Sequence, residues 1–432
     1  MLKLNTLLNR PLAVCCAVSL FATLCYAEPP PLTHNEPLRT TRLLLLTQEQ
    51  LASSKMSLSD NVGYQSAVND IYRMADAAVQ NELISVTQNT PHAVSGNPHD
   101  YFSVGPYWWP DPSKKDGLPW INKDGQANPL FRGSNSDTRL FQQLLHSVQV
   151  LSLAYYFSEQ EVYAAKAIAM LQTWFIAEKT KMNPHLNYAQ SIPGRTHGRG
   201  IGIIDWRGLP HLLDSLTLLH SQQTAEFQQA MDEWLSIFLG WLIESKNGQD
   251  EAAMHNNHGT YYDVIITSLA LYLDMDEVAQ GVIKQTQQRI LSQLALDGAQ
   301  QHELARTKPF HYSVFNLLAF SQMARLAEKT KLNLWNYPTV QDQRIYQAYQ
   351  FIQKNQDNKS LWPGKQEQQL PLDKLVGVAM IMNQQLKKDE FLHTLLMFDQ
   401  TTLQQAQQCA LLFNFSLAFH PQSSDKPELC LY

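Results

Sequence analysis

Residues 253–263 read Ala-Met-His-Asn-Asn-His-Gly-Thr-Tyr-Tyr-Asp, which sets two imidazoles and two amides at four consecutive positions, His255 to His258. An apolar run follows at once. Polar groups this dense beside a packed element need partners, and an unreacting core rarely asks for them. A second cluster, Glu303-Leu304-Ala305-Arg306 with His311-Tyr312, comes later in the chain. Amide, imidazole, guanidinium and phenol are the groups that hold a carboxylate and remove a proton beside it.

Each cluster also has a plainer reading. Thr260 with Asp263 three residues on resembles a capping box, which would put Asn256, Asn257 and His258 on the turn entering a helix. Amides there join backbone N–H groups in binding an anion, or they merely cap and satisfy buried backbone. His255 and His258 are three apart and could face one metal ion on a helix. No nearby Glu has the offset of a zinc-protease helix, so no metal or cofactor is assigned. Arg306 and Tyr312 are six apart, and Pro309 between them breaks any continuous helix, so a loop leads into a helix here. A free phenol, with a pKa of about 10, is a poor base at neutral pH. A guanidinium nearby favours the phenolate. Glu303 could orient that guanidinium; the alternative is a surface Arg and a core Tyr.

Two long irregular stretches add to this. Residues 95–131 contain Tyr107, Trp108, Trp109 and Trp120, and residues 183–208 contain Asn187, Gln190, His197 and Arg199. Loops of this length are functional or disordered, and the aromatic content argues against disorder. The aromatics either cover core or form stacking platforms for sugar rings. The second stretch offers donors suited to carboxylates and hydroxyls.

The elements that must position these groups are helices. Leu140, Leu144, Val148, Leu151 and Tyr155 step by three or four, as do Ala164, Ile168, Leu171 and Phe175. Heavier stripes run through Phe227–Leu242, Tyr262–Leu273 and Phe315–Leu326. Such periods mean amphipathic helices, and period-two alternation is scarce, so the class is all-α. Helices of about 15 to 22 residues, broken by Ser158-Glu159-Gln160 and Asp274-Met275-Asp276, suit stacked antiparallel hairpins.

The chain's start reads as an address. Lys3 and Arg10 precede an apolar stretch at 12–24, too short to span a bilayer, and Cys25-Tyr26-Ala27 ends on a small residue. Residues 1–27 are therefore expected to be a cleaved secretory signal peptide, with a periplasmic destination. Cys15, Cys16 and Cys25 would leave with it. Cys409 and Cys430 then remain, either as a disulfide or as separate thiols. Removing Lys3 and Arg10 from 33 basic residues leaves 31 against 39 acidic ones, a net charge of −8. That balance argues against nucleic acid as a partner, yet a cleft can be locally basic and take an anionic substrate. No other stretch approaches transmembrane length, so no stable membrane insertion is expected.

In combination these motifs resemble the alginate lyase-like family of polysaccharide lyases. The matching segments are His99-Asp100-Tyr101-Phe102 through Pro110-Asp111-Pro112, Asn187-Tyr188-Ala189-Gln190, residues 198–205, Asn256-Asn257-His258-Gly259-Thr260, and Glu303-Leu304-Ala305-Arg306-Thr307 with Phe310-His311-Tyr312. The resemblance implies an incomplete (α/α) toroid over residues 28–432, in one domain. It also implies metal-independent β-elimination of a uronate-containing glycan.

Carried over by position, Asn257 and His258 meet the C5 carboxylate with help from Arg306, and Tyr312 serves as acid and base. Asn187, Gln190, His197, Arg199, Asn256, His311, Tyr107, Trp108, Trp109, Tyr261 and Glu303 complete the expected substrate-binding set. Tyr261 stands where many relatives carry Trp, a matter of packing or of a subsite. Neutralising a uronate carboxylate stabilises the enolate-like transition state. For a C5 proton syn to the leaving oxygen Tyr312 can do both jobs; for the opposite epimer His258 can take the proton while Tyr312 donates. The competing classes are an inverting glycoside hydrolase using Asp205, Asp263 or Glu303, and a non-catalytic glycan-binding protein.

Overall fold

Two largely apolar helices that follow the polar clusters are buried around nearly their whole circumference, as suits elements inside a protein. The computed structural model describes residues 42–59, 62–88, 93–133 and 137–355, together with residues 362, 378 and 382. Its helices are α1 Gln48–Met56, α2 Val62–Gln80, α3 Asp137–Ser158, α4 Glu161–Leu171, α5 Leu209–Leu218, α6 Ala225–Glu244, α7 Lys246–Ala252, α8 Asn257–Tyr272, α9 Asp276–Gln293, α10 Gln301–Leu304, α11 Pro309–Ala327 and α12 Arg344–Asn355. Every residue of α8 is buried except His258, and every residue of α11 except His311 and Phe315.

Neighbouring contacts make an inner row of α3, α5, α8 and α11, each packed against the next. α2 and α4 pack on α3, α9 on α8 and α12 on α11, as an outer row. This is the all-α toroid expected from the sequence. The hairpin breaks fall where they were expected. Glu159 and Asp274 take left-handed backbone, with φ of 59° and 57°, at the ends of α3 and α8. Helix lengths are more varied than expected: α4 has 11 residues before passing into a π turn at Gln172–Ile176, and α5 has 10. Among the described residues no helix is long and apolar enough to cross a membrane. Residues 1–27, Cys409 and Cys430 lie outside the described residues.

The two long irregular stretches are tied to each other and to the core. Strand β1 (Phe102–Val104) runs parallel to a later strand from the second stretch, Tyr188–Ser191, which becomes β4. Between them in sequence, β2 (Trp108–Trp109) pairs antiparallel with β3 (Ile121–Asn122). Trp206, fully buried, stacks on Phe141 with ring centroids 3.9 Å apart and packs between Trp234 and Phe238. Burying one such side chain stabilises by about 2–3 kcal/mol. It pins the end of the second stretch against α3 and α6.

Candidate active site

The turn from α7 into α8 is held from three sides. Asn256, in extended backbone with φ −137°, caps α8: its side-chain oxygen accepts from the His258 N–H at 3.1 Å. The cap therefore lies four residues before Thr260, and the expected Thr260–Asp263 capping box does not form. Both residues sit inside the helix. Asp263 instead pairs with Arg289 of α9 at 2.8 Å and accepts from Thr286. Arg289 in turn donates to the carbonyls of Met254 and Ala252, just before the cap. A Cβ on Gly259 would stand 2.2 Å from both Arg289 Nη1 and the Met254 oxygen, so only glycine lets this guanidinium reach the turn.

This frame sets His258 and Asn257 at the helix entrance. His258 Nδ1 lies 2.8 Å from Glu251 of α7, a fully buried carboxylate. The carboxylate accepts, so Nδ1 carries a proton, and in the neutral ring the lone pair falls on Nε2. Among the described residues Nε2 has no hydrogen-bond partner. Asn257 is held by Glu303 of α10: its backbone N–H donates at 2.7 Å, and its amide nitrogen at 2.9 and 3.1 Å to the two carboxylate oxygens. Two oxygens of one carboxylate lie too close together to need both of the amide's diverging N–H groups, so the second remains available. Glu303 thus orients Asn257, where the sequence suggested Arg306. Burial raises the Glu303 pKa against these hydrogen bonds and the nearby Arg306 and His258.

Arg306 pairs instead with Asp124, at 2.8 Å, and Thr307 donates to the same carboxylate at 2.9 Å. Asp124 lies just past β3, in the Trp-rich stretch. Its burial is outweighed by these contacts, which hold its pKa below the usual value. Arg306 then lies over the Tyr312 ring, its Cζ 3.8 Å from the ring centroid. The Tyr312 hydroxyl donates to the Tyr107 hydroxyl at 2.7 Å. Burial and the Tyr107 contact push the Tyr312 pKa well above the ordinary phenol value, although Arg306 pulls the other way. The guanidinium does not win, so the resting phenol is protonated, contrary to the phenolate that the sequence suggested. Pro309 occupies the first turn of α11, as its position predicts.

The second stretch supplies positioning more than contact. Gln190 is buried, in left-handed backbone at φ 48°, and its amide spans Asp205 at 2.9 Å and Arg199 at 3.1 Å. It holds Arg199 in place, with its side-chain oxygen taken by that guanidinium. Burial pushes the Arg199 pKa down to about 10 despite the Asp205 and Glu251 charges near it. Trp108 faces the Arg195 and Arg199 guanidinium groups at 5.3 and 5.8 Å. Asn187 is exposed and accepts from the Trp241 indole at 3.0 Å; His197 is exposed. His311 lies edge-on to Tyr312, with ring centroids 5.2 Å apart. Tyr261 is buried with its hydroxyl on the Phe315 carbonyl, as the packing reading expects. Asn256 likewise spends its side-chain oxygen on the cap.

Glu251 and Asp124 were missed from the sequence. Both lie in elements that meet the clusters only through the fold. The three candidate carboxylates of the hydrolase reading are each engaged within the protein. Asp205 accepts from Tyr101, Ser103, Thr138 and Gln190, Asp263 from Arg289 and Thr286, and Glu303 from Asn257. His255 stacks on His302 and is not joined to His258. Among the described residues no group of three or more His, Cys, Asp or Glu could hold a metal ion.

Residues 85–362 match the family model described as alginate lyase. A crystal structure of an alginate lyase from Bacteroides ovatus is similar at 34% identity and a TM-score of 0.80, over 86% of this chain and 98% of that one. A variant of alginate lyase A1-III from Sphingomonas species A1, complexed with a tetrasaccharide, is similar at 16% identity and a TM-score of 0.52, over 82% and 95% of the two chains. No curated protein matches.

Proposed function

Because the chain belongs to the alginate lyase family, we propose that this polysaccharide lyase cleaves alginate or a related polyuronate by β-elimination at the entrance of α8 and α11. The observation that carries the reading is the Arg306 guanidinium lying 3.8 Å over the ring of Tyr312, a protonated phenol beside a fixed cation. Arg306 and the second amide N–H of Asn257 neutralise the C5 carboxylate, which makes the C5 proton easier to remove. As that proton leaves, its electron pair forms the C4–C5 double bond. The C4–O4 bond then breaks, and O4 takes the Tyr312 proton.

The base depends on the epimer. Where the C5 proton lies anti to O4, His258 Nε2 accepts it, its tautomer fixed by Glu251. Where it lies syn, the phenol first gives its proton to solvent, which burial opposes and Arg306 favours; the phenolate then takes the C5 proton and passes it to O4. Each step belongs to a protein side chain, so the mechanism calls for no metal or cofactor. The partner is an anionic polysaccharide. We also propose that residues 1–27 direct export to the periplasm and are removed. A mature N-terminus at Glu28 supports this and one at Met1 overturns it.

Digestion of a polyuronate panel, followed by near-ultraviolet absorbance of the new double bond, tests the reaction. New reducing ends with no such absorbance would sink the elimination.

A further inference from the structure

The hairpin β2–β3 carries a cation that the mechanism above does not use. Trp108 pairs with Asn122 and Trp109 with Ile121. The Lys123 N–H, bonded to the Tyr107 carbonyl at 2.8 Å, extends the ladder by one step. Side chains alternate across a strand, and directly opposed residues share a face. Tyr107, Trp109, Ile121 and Lys123 therefore share one face of the hairpin, while Trp108 and Asn122 take the other. The Trp108 contacts with Arg195 and Arg199 agree with that division.

The face holding Tyr107 is the one that meets Tyr312. Trp109 lies two residues on, about 7 Å along the strand. The Lys123 ammonium stands 5.3 Å from the Trp109 ring centroid and has no hydrogen bond or ion pair among the described residues. The indole is itself fixed by a hydrogen bond from Nε1 to the Gln126 carbonyl at 2.9 Å. The neighbouring residue Asp124 is bound to Arg306. A half-buried cation, held by a fixed ring one step from the reacting phenol and bound to no carboxylate among the described residues, suits an anion.

We infer that Lys123 reads the carboxylate of the sugar next to the one that reacts, and that Trp109 is the positioning residue for its ammonium. This rests on the elimination proposed above and names a further binding position of that site. A cation one sugar away from the bond being broken contributes binding that is equal in ground and transition states, so it acts on KM and not on kcat.

The test uses the full-length enzyme and the polyuronate that the wild type cleaves best, at low ionic strength. Lys123→Gln should raise KM roughly tenfold, as expected for loss of one charge-assisted contact, with kcat within about twofold of wild type. Lys123→Arg, which keeps the charge, should restore KM. Trp109→Leu should shift KM in the same direction as Lys123→Gln. On a polymer whose carboxylates are partly reduced to primary alcohols, the difference between wild type and Lys123→Gln should shrink. A wild-type KM for Lys123→Gln overturns the inference, and so does a loss of kcat with KM unchanged. An unaffected Trp109→Leu overturns the positioning role. If the wild type gives no double-bond absorbance on any polyuronate, the elimination itself fails and takes this inference with it. An active wild type with an indifferent Lys123→Gln removes only the inference.

Discussion

The hydroxyls of Tyr107 and Tyr312 stand 2.7 Å apart although 205 positions separate the two residues in the chain. One comes from a surface hairpin and the other from the first turn of an inner helix. Their hydrogen bond fixes the direction of the Tyr312 proton in the resting protein and, with burial, keeps that proton in place.

Tyr312→Phe should therefore abolish proton donation to O4 while leaving the fold intact. A loss of about 10²–10⁴-fold in kcat is expected for removal of a general acid. Tyr107→Phe should cost less, because the Tyr312 proton survives. The absorbance assay, with circular dichroism as a control for folding, measures both. Equal losses in the two variants would show that the phenols act as a unit, not as acid and orienter.

Glu251→Gln keeps the shape of the group beside His258 but lets the ring turn to its other tautomer, with Nδ1 accepting from the new amide. Nε2 would then carry a proton and could not take one. On a polymer whose C5 proton lies anti to O4, kcat should fall at least about tenfold. On the syn epimer the change should be small. Equal effects on both polymers would remove His258 as the selective base.

Gly259→Ala places a methyl group 2.2 Å from the Arg289 guanidinium and the Met254 carbonyl. The turn must shift, at a cost of about 1–3 kcal/mol for overpacking. Urea unfolding should show this loss together with reduced activity, since the same turn carries Asn257 and His258. Unchanged stability would mean that Arg289 gives way easily.

His211 lies buried in α5, and burial pushes its pKa down to about 4. An imidazole in the unfolded chain takes its proton near pH 6.5. The stability gained by keeping His211 neutral is fully present above about pH 6.5 and drains away as pH falls towards 4, about 3 kcal/mol in all. His211→Gln should remove that dependence. Unfolding free energies at pH 7, 5.5 and 4.5 should fall less steeply in the variant. Parallel curves would refute the assignment.

Much of this was legible in the sequence for a physical reason. Helical periodicity is local, so the stripes from Leu140 to Tyr155 and from Phe315 to Leu326 gave their helices directly, and Pro309 marked the start of α11. Asn257, His258, Arg306 and Tyr312 stood out because polar groups crowd beside apolar runs. What sequence could not reveal was pairing. Glu303 lies nearer in sequence to Arg306 yet holds Asn257, and Arg306 is taken by Asp124, 182 positions away. Asn256 displaced Thr260 as the cap because either residue type can cap a helix, and only the backbone decides which one does. Gln190 looked like a donor for substrate because nothing local shows that its amide is already held between Asp205 and Arg199.

Asp205 gathers Tyr101 and Ser103 from one long stretch, Gln190 from the other, and Thr138 from α3. In evolutionary terms the two loops are not separate modules. A loop transplanted from a relative would arrive without its share of the donors around this carboxylate, leaving a buried charge short of partners. Swaps of specificity among such enzymes should succeed only when both loops travel together, as one cassette with their common acid.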